Sequence, residues 1–232
     1  MGAMGKKSKT FVCVVFHHSK LRPQGLQMAE NFCKSWKDTK LPFHLIVLDN
    51  ESDVEYECIN DIDHTFIRIN NQLEIGGCTG AWNILCQYAI DSGADKIMGF
   101  ADDVIVNNSL LKFNEFIVDD NTLYGPLTDG QVNHLFYQQK SNKCIPNLHK
   151  KTDLLNGFWL GFTRNFWLDK NINGDLFIQM KNPLIDKWAG QELMLSVWRN
   201  KYDTRGMIIG DCWIHHSKIR SWKNARQFYK NK

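Results

Sequence analysis

Residues 96–106 read KIMGFADDVIV, and this stretch decides the fold. The apolar run IMGF at 97–100 predicts a short buried strand. The strand leads into two adjacent carboxylates, Asp102 and Asp103, before apolar residues resume at Val104. Charged side chains are rarely buried unless they are paired or bound to a metal. The two acids therefore either cap the following turn or hold a divalent cation against a phosphate, for which carboxylate oxygens are suitable ligands.

Strands and helices alternate on both sides of this stretch. Apolar, β-branched runs predict strands at 11–16, 43–48, 66–69, 97–100, 123–127 and 206–209. Apolar residues at three- and four-residue steps predict helices at 24–36, between the glycines at 76–80 and Gly93, from an N-cap at Ser109 to 117, and at 188–198. This alternation is typical of an α/β domain with a central, mostly parallel sheet flanked by helices.

Polar clusters follow four of the predicted strands at the point where each strand ends. They are His17-His18-Ser19, Asp49-Asn50, Asn70-Asn71 and Asp102-Asp103. Parallel strands place their carboxyl ends at one edge of the sheet, where ligands of α/β proteins bind. Four such coincidences favour a ligand site over a set of turn caps. The sequence thus predicts a ligand site at this edge, with His17 and Ser19 among its contacts.

Composition and charge exclude several classes of protein. The chain has 232 residues and a formal charge of +3, with basic residues gathered at its two ends. Solvated tails explain these residues better than a nucleic-acid or membrane patch, although peripheral membrane contact through the tails stays open. No apolar run approaches the ~20 residues of a membrane span, and the seven cysteines lack CxxC spacing. We therefore expect a soluble, cytoplasmic protein with reduced thiols and no nucleic-acid partner.

Nucleotide-binding motifs of two common kinds are absent. The glycine-rich segment GGCTG at 76–80 lacks the lysine of a P-loop and does not have GxGxxG spacing. NTP hydrolysis and dinucleotide redox chemistry therefore lose support. If this segment begins a helix, its backbone N–H groups would still be well placed to bind a phosphate.

Six segments, in order along the chain, carry a resemblance to a known family. They are LDNESD at 48–53, GCTGAWN at 77–83, FADDV at 100–104, NGFWLG at 156–161, QE at 191–192 and WIH at 213–215. Together they resemble the GT-A glycosyltransferases of the family-2-like inverting type, which include small rhamnosyl- and related sugar transferases, some of them virus-encoded.

The resemblance implies the domain organisation. A single Rossmann-like GT-A domain is expected over 10–217, with a nucleotide-sugar-binding half at about 10–120 and a smaller acceptor-binding half at about 121–217. Residues 1–9 are interpreted as an expression-tag remnant with a basic tail, and residues 218–232 as a second basic tail.

The resemblance also implies a reaction and its residues. An inverting transfer is expected from a UDP-, dTDP- or GDP-sugar to a hydroxyl of a glycan or glycoprotein, with Mn²⁺ or Mg²⁺ on the departing diphosphate. Glu192 takes the place of the general base, with Asp186 as a substitute. Donor-binding residues are His17, Ser19, Asp49, Asn50, Gly77, Asn83, Asp102 and Asp103. Acceptor-binding residues are Gly157, Phe158 and Trp159, where the indole offers a face for sugar stacking.

The metal site is where the sequence departs from the family pattern. Ala101 occupies the first position of the DxD-like motif, so one acid of the usual pair is absent. Asp103 and a late histidine are the expected ligands. His215 is preferred over His216, because alternation along a strand points the two side chains in opposite directions.

Two other functions stay open at this level. Ala101 is compatible with a non-catalytic nucleotide-sugar or glycan-binding module that kept the fold. A sugar-1-phosphate nucleotidyltransferase shares the α/β plan, but it usually carries a glycine-rich, basic segment after its first strand. His17-His18-Ser19-Lys20 does not supply that segment.

Overall fold

A computed structural model gives the architecture of the chain. It describes residues 8–20, 22–71, 77–130, 138–153, 155–170 and 204–216. The predicted helix at 188–198, with Glu192, lies outside the described residues, as do both basic tails from residue 217 onward and up to residue 7. Within the described part, no helix combines the length and the apolar character that crossing a bilayer requires.

The described residues form nine strands and four α-helices. The strands are β1 (Thr10–Phe16), β2 (His44–Asn50), β3 (His64–Ile69), β4 (Lys96–Phe100), β5 (Val104–Ile105), β6 (Thr122–Thr128), β7 (His149–Thr152), β8 (Trp159–Thr163) and β9 (Arg205–His216). The helices are α1 (Gly25–Thr39), α2 (Gly77–Asp91), α3 (Ser109–Phe116) and α4 (Arg164–Lys170), with a short 3₁₀ turn at Glu57–Ile59. The predicted α/β class is confirmed.

The strands join one sheet in the order β3-β2-β1-β4-β8-β6-β9-β5, and β7 also pairs with β9. The first half, β3-β2-β1-β4, is parallel throughout. Strand β8 is antiparallel to both β4 and β6, while β6 and β9 are parallel to each other. Strands β1, β2, β3, β4, β6 and β9 therefore all point the same way, and their carboxyl ends lie at one edge.

Helices cover both faces of the sheet, because the central strands are apolar on both faces. All seven residues of β1 are buried. Phe11, Cys13 and Val15 pack with α2 and α4 on one face, whereas Val12 and Val14 pack with α1 and α3 on the other. Continuous rather than alternating burial is what parallel strands between two helical layers require.

Two local predictions are corrected by the structure. Asn108, not Ser109, is the N-cap of α3. Ser109 is the first helical residue, and its hydroxyl instead bonds the backbone of Trp213. The last strand extends from Arg205 to His216 rather than ending at residue 209, because a register shift opposite Pro126 and Leu127 lets it pass polar Asp211 and resume pairing.

Candidate active site

Side chains from five strand ends form the candidate site. The loops after β1, β2, β4 and β6 and the last residues of β9 lie at the carboxyl edge of the sheet. The site is therefore built by both halves of the chain.

Asp102 is held by a residue that the sequence analysis did not select. Arg22, in the loop after β1, donates from Nη1 to Asp102 Oδ2 at 2.7 Å and from Nη2 to Asp102 Oδ1 at 2.6 Å. Both side chains are largely buried, with exposed fractions of 15% and 4%. Burial alone would lower the pKa of Arg22, but the adjacent carboxylates of Asp102 and Asp103 outweigh it and raise that pKa. The guanidinium is thus a fixed positive charge below the site.

Asp103 pairs with His216 at the end of β9. His216 Nε2 lies 3.2 Å from Asp103 Oδ2, and the imidazole stacks on Phe158 with a centroid separation of 5.1 Å. Burial acts to raise the pKa of Asp103, yet the charge and hydrogen bond of His216 and the charge of Arg22 outweigh it and hold the pKa below its ordinary value. Asp103 is therefore a carboxylate at neutral pH. A side chain at Gly130 would collide with His216, since an added Cβ would lie 2.2 Å from the His216 Cβ.

His215, the preferred metal ligand from the sequence, faces a different partner. Its Nδ1 lies 2.9 Å and 2.7 Å from the two carboxylate oxygens of Asp129, which follows β6. The alternation along β9 does turn the two histidines apart, as expected, but it turns His216 rather than His215 towards Asp103.

The end of β2 carries a second ion pair, between buried Asp49 and the partly exposed Arg68. Asp49 is fully buried; its Oδ2 lies 3.2 Å from Arg68 Nε, and its Oδ1 accepts the backbone N–H of Ser52 at 3.1 Å. The neighbouring Asn50 is 2% exposed, and its side-chain oxygen has no hydrogen-bond partner among the described residues. A buried acceptor without a donor is uncommon in proteins. Asn50 therefore has unused hydrogen-bonding capacity at this strand end.

The loop after β1 lies against the end of β2. His17 Nδ1 lies 2.8 Å from the Asn50 carbonyl oxygen, which fixes the Nδ1–H tautomer. Burial lowers the pKa of His17, so the ring is neutral at physiological pH. Ser19 is half-buried and starts a tight turn in which its carbonyl accepts the Arg22 N–H at 2.8 Å. The predicted donor residues of this loop therefore lie at the correct edge.

The remaining predicted residues fall into two groups. Gly77 begins α2 with φ +66°, and Asn83 is buried within that helix. Gly157, Phe158 and Trp159 are buried where the chain enters β8. Trp159 has no exposed surface and belongs to the core between the sheet and α1 and α3, so its indole does not form an open wall in this conformation. Phe158 instead stacks on the imidazole of His216, beside Asp103.

Three residues of the site were missed by sequence reasoning: Arg22, Arg68 and Asp129. Each is the charged partner of a residue that was selected or considered. Arg22 carried the clearest signal, because an arginine six residues beyond a buried strand can reach the neighbouring strand end. Nothing local marked Arg68 or Asp129, since their roles depend on which strands are neighbours.

Asp103 and His216, called the metal corner below, carry ligand atoms that suit a hard divalent ion. Among the described residues no group of three or more His, Cys, Asp or Glu side chains converges on one point. Asp103 and His216 nevertheless offer one carboxylate and one imidazole at contact distance. Mg²⁺ is commonly held by one or two protein ligands together with substrate phosphates and water. The residues present fit an ion that binds together with a diphosphate.

A cavity of about 360 Å³ lies elsewhere, at the opposite edge of the sheet. It is lined by residues around the start of β4 and the end of β8, including Asp120, Thr163 and Asn165. Asp120 already accepts hydrogen bonds from the other two side chains, at 2.6 and 3.0 Å. Because these polar groups satisfy one another, this cavity does not compete with the strand-end site.

Comparison with known proteins identifies the fold. No protein-family model matches the sequence, and no curated protein matches it. Solved structures do match. GalNAc-T7 with UDP, GalNAc and Mn²⁺ superposes with a TM-score of 0.59 at 12% identity, over 93% of this chain and 45% of that chain. TarS 1–349 from S. aureus gives 0.59 at 14% identity, over 90% and 60% respectively.

A third structure matches over nearly its whole length. A protein from Desulfovibrio desulfuricans G20 described as a nucleotide-diphospho-sugar transferase gives a TM-score of 0.54 at 10% identity, over 97% of this chain and 87% of that chain. The chain spans about half the length of GalNAc-T7 and three fifths of TarS 1–349. Identities this low establish architecture alone. The chain has the GT-A fold of the nucleotide-sugar transferases.

Proposed function

We propose that the protein is an inverting glycosyltransferase that moves a sugar from a nucleotide-diphosphate sugar to a hydroxyl of a glycan or other acceptor. The observation that carries the proposal is the pairing of Asp103 with His216 at the carboxyl edge of a GT-A fold. This pairing supplies a carboxylate and an imidazole where such folds bring the donor diphosphate. The structural neighbour GalNAc-T7 was solved with UDP and Mn²⁺, which supports the same ligand classes here.

The metal corner is assigned to Asp103 and His216. His216 replaces His215 as the proposed histidine ligand, because the His216 ring is the one in contact with Asp103. Mn²⁺ or Mg²⁺ bound there would neutralise the charge that develops on the departing diphosphate. Asp103 and His216 would fix the position of the ion, and Phe158 orients the imidazole of His216 by stacking. Ala101 contributes no ligand, so a single acid serves this corner.

The donor is proposed to lie along the ends of β1, β2 and β4. The unused side-chain oxygen of Asn50 accepts a hydrogen bond from the base or the ribose. Asp49 supports that position through its contacts with Arg68 and Ser52. The remaining donor-binding residues are proposed to be His17, Ser19, Gly77, Asn83 and Asp102. Gly77 places the start of α2, with its outward backbone N–H groups, near the phosphates.

The acceptor side is proposed from the sequence. Glu192 is the general base that takes the proton of the attacking hydroxyl, and Asp186 is its substitute; both lie outside the described residues. Attack on the face opposite the departing nucleotide inverts the anomeric centre. Gly157 and Phe158 are the acceptor-binding candidates, with Phe158 favoured by its contact with His216, whereas the third predicted residue, Trp159, supports them from the core. The seven free cysteines support a reducing, cytoplasmic location.

The test measures ligand binding first and turnover second. Thermal unfolding is followed with UDP-, dTDP- and GDP-sugars, each with and without Mn²⁺. A ligand at ~100 times its Kd adds ~2.7 kcal/mol of stability. We expect one nucleotide family to give a shift that needs Mn²⁺, and we expect transfer or donor hydrolysis with the same family. Asp103→Asn should remove both, whereas Asp61→Asn, an acid on the exposed surface, should change neither.

Two outcomes would contradict parts of the proposal. Normal turnover by Asp103→Asn would exclude the metal corner. Nucleotide binding without turnover of any donor or acceptor would instead favour a non-catalytic binding module. The pair His216→Ala and His215→Ala decides which histidine serves the metal, and we expect the Mn²⁺-dependent shift to be lost only in His216→Ala.

A further inference from the structure

We infer that Arg22 is a positioning residue for the metal corner: by clamping Asp102 it fixes the turn at 100–103 and so aims Asp103 at the donor diphosphate. The inference rests on the proposed function. Arg22 does not touch the donor in this assignment. Its effect reaches the donor through Asp102 and the adjoining Asp103.

The contacts of Arg22 join two strand ends. The side chain leaves the loop after β1 and meets both carboxylate oxygens of Asp102, beyond the end of β4. Nη1 also donates to the carbonyl oxygen of His17 at 2.6 Å. One guanidinium therefore ties the backbone of the first loop to the side chain of the second. Both loops carry residues assigned to the donor.

The geometry is one that arginine provides and lysine does not. Two parallel N–H···O bonds from a planar guanidinium fix the orientation of a carboxylate as well as its distance. A lysine ammonium would supply the charge at a single point. It would leave the carboxylate of Asp102 free to rotate.

The turn at 100–103 needs such a clamp because its backbone is strained. Phe100 has φ +123°, a value that side-chain-bearing residues seldom adopt, and it follows Gly99 at φ +121°. Strained residues persist where the surrounding structure holds them in place. Phe100 is buried against Trp82, and the Ala101 N–H bonds the Phe158 carbonyl at 3.2 Å. The Asp102 clamp is the next attachment along the chain, immediately before Asp103.

Stability alone does not explain the pair. A buried ion pair often contributes little net stability, because removing both charges from water offsets their attraction. Replacement of both partners by apolar residues is often neutral for folding. If the pair served only to hold two loops together, an apolar replacement would serve as well. The position of Asp102 beside Asp103 supplies a reason for the charged, directional version.

The experiment uses three variants of the full chain and one control. Arg22→Met removes the clamp, Arg22→Lys keeps the charge without the two-point geometry, and the double variant R22M/D102L replaces the pair by apolar groups. Lys37→Met removes the cation of an exposed ion pair on α1 and is the control. Dissociation constants for UDP, dTDP and GDP are measured by calorimetry with Mn²⁺, and the unfolding midpoint is measured on the same samples.

Loss of a residue that orients a metal ligand typically costs about 10–100-fold in metal affinity or activity. We expect that loss in Mn²⁺-supported nucleotide binding for Arg22→Met, a partial recovery in Arg22→Lys, and none in Lys37→Met. The double variant should regain the wild-type unfolding midpoint but keep the weak binding. If Arg22→Met fails to fold, the binding measured for the double variant decides the test.

Two results would overturn the inference. Wild-type nucleotide affinity in R22M/D102L would show that the pair only joins the loops. Equal affinity in Arg22→Met and wild type would show that the clamp does not act on the donor. Failure of the wild type and Asp103→Asn alike to bind any nucleotide would remove the proposed function, and the inference with it.

Discussion

Gly99 and Gly93 both have positive φ, at +121° and +84°, but only Gly99 lies against a neighbouring strand. A Cβ at Gly99 would lie 2.4 Å from the carbonyl oxygen of Cys13 in β1, whereas a Cβ at Gly93 meets nothing within 4 Å. Gly93→Ala should therefore cost only backbone strain, about 1–2 kcal/mol. Gly99→Ala should cost about 1–3 kcal/mol more, because β1 must also move.

Denaturant unfolding of the two alanine variants checks this difference. Equal losses would mean that β4 can shift away from β1 at no cost. Such a result would also weaken the argument that the strand exit at Phe100 is rigidly held.

His17 makes stability depend on pH. Burial lowers its pKa in the folded chain below the value of about 6.5 expected for an unfolded chain. Between those two pKa values the unfolded chain binds more protons, so the free energy of unfolding falls as the pH falls through that window. Above about pH 6.5 the ring is neutral in both states and the contribution is constant.

His17→Gln should reduce this loss of stability. We expect the free energy of unfolding, measured without ligand from pH 7.5 to 5, to decline less steeply in the variant. His44 has a pKa lowered mainly by burial, so part of the decline should persist. Parallel curves for the variant and the wild type would contradict a buried neutral His17.

At the scale of elements, the first turn of α3 attaches that helix to β9. The hydroxyl of Ser109 donates to the Trp213 carbonyl at 3.0 Å and accepts the Trp213 N–H at 3.1 Å. Ser109→Ala leaves that N–H without its acceptor, which should cost about 1–3 kcal/mol. Ser109→Thr keeps the hydroxyl and should lose less. Ser92→Ala, at a serine whose hydroxyl makes no hydrogen bond in the described part of the chain, is the control.

Sequence patterns predicted elements best where burial is continuous. The runs at 11–16 and 97–100 became strands within one residue of their expected bounds, since a strand buried on both faces is apolar along its length. β9 was cut short at residue 209 because Asp211 interrupts the apolar run. Its continuation depends on pairing with β6 and β5, which only the folded sheet reveals. The N-cap at Ser109 was wrong for the same kind of reason, because its hydroxyl is used by a distant strand.

At the scale of the molecule, the sequence predicts where the candidate site lies but not which of its residues pair with each other. Polar residues at strand ends identify the carboxyl edge from sequence alone. The partners of those residues follow from the strand order β1-β4-β8-β6-β9, which places β9 close to the loop after β4. The antiparallel return of β8 between β4 and β6 has no local signature. The choice between His215 and His216 therefore could not be made before the sheet was known.

Variants of Asp103 and Glu192 should separate nucleotide binding from the chemical step. Glu192 is predicted as the general base, a role typically worth about 10²–10⁴-fold in rate. Glu192→Gln should lower kcat by about that factor while leaving the Mn²⁺-dependent affinity for the nucleotide unchanged. Asp103→Asn should instead lose the Mn²⁺-dependent affinity for the nucleotide.

Asp186→Asn is the matched comparison, since Asp186 is the alternative carboxylate in the same stretch. Normal kcat in Glu192→Gln with a collapse in Asp186→Asn would transfer the base to Asp186. Normal kcat in both would place the base elsewhere.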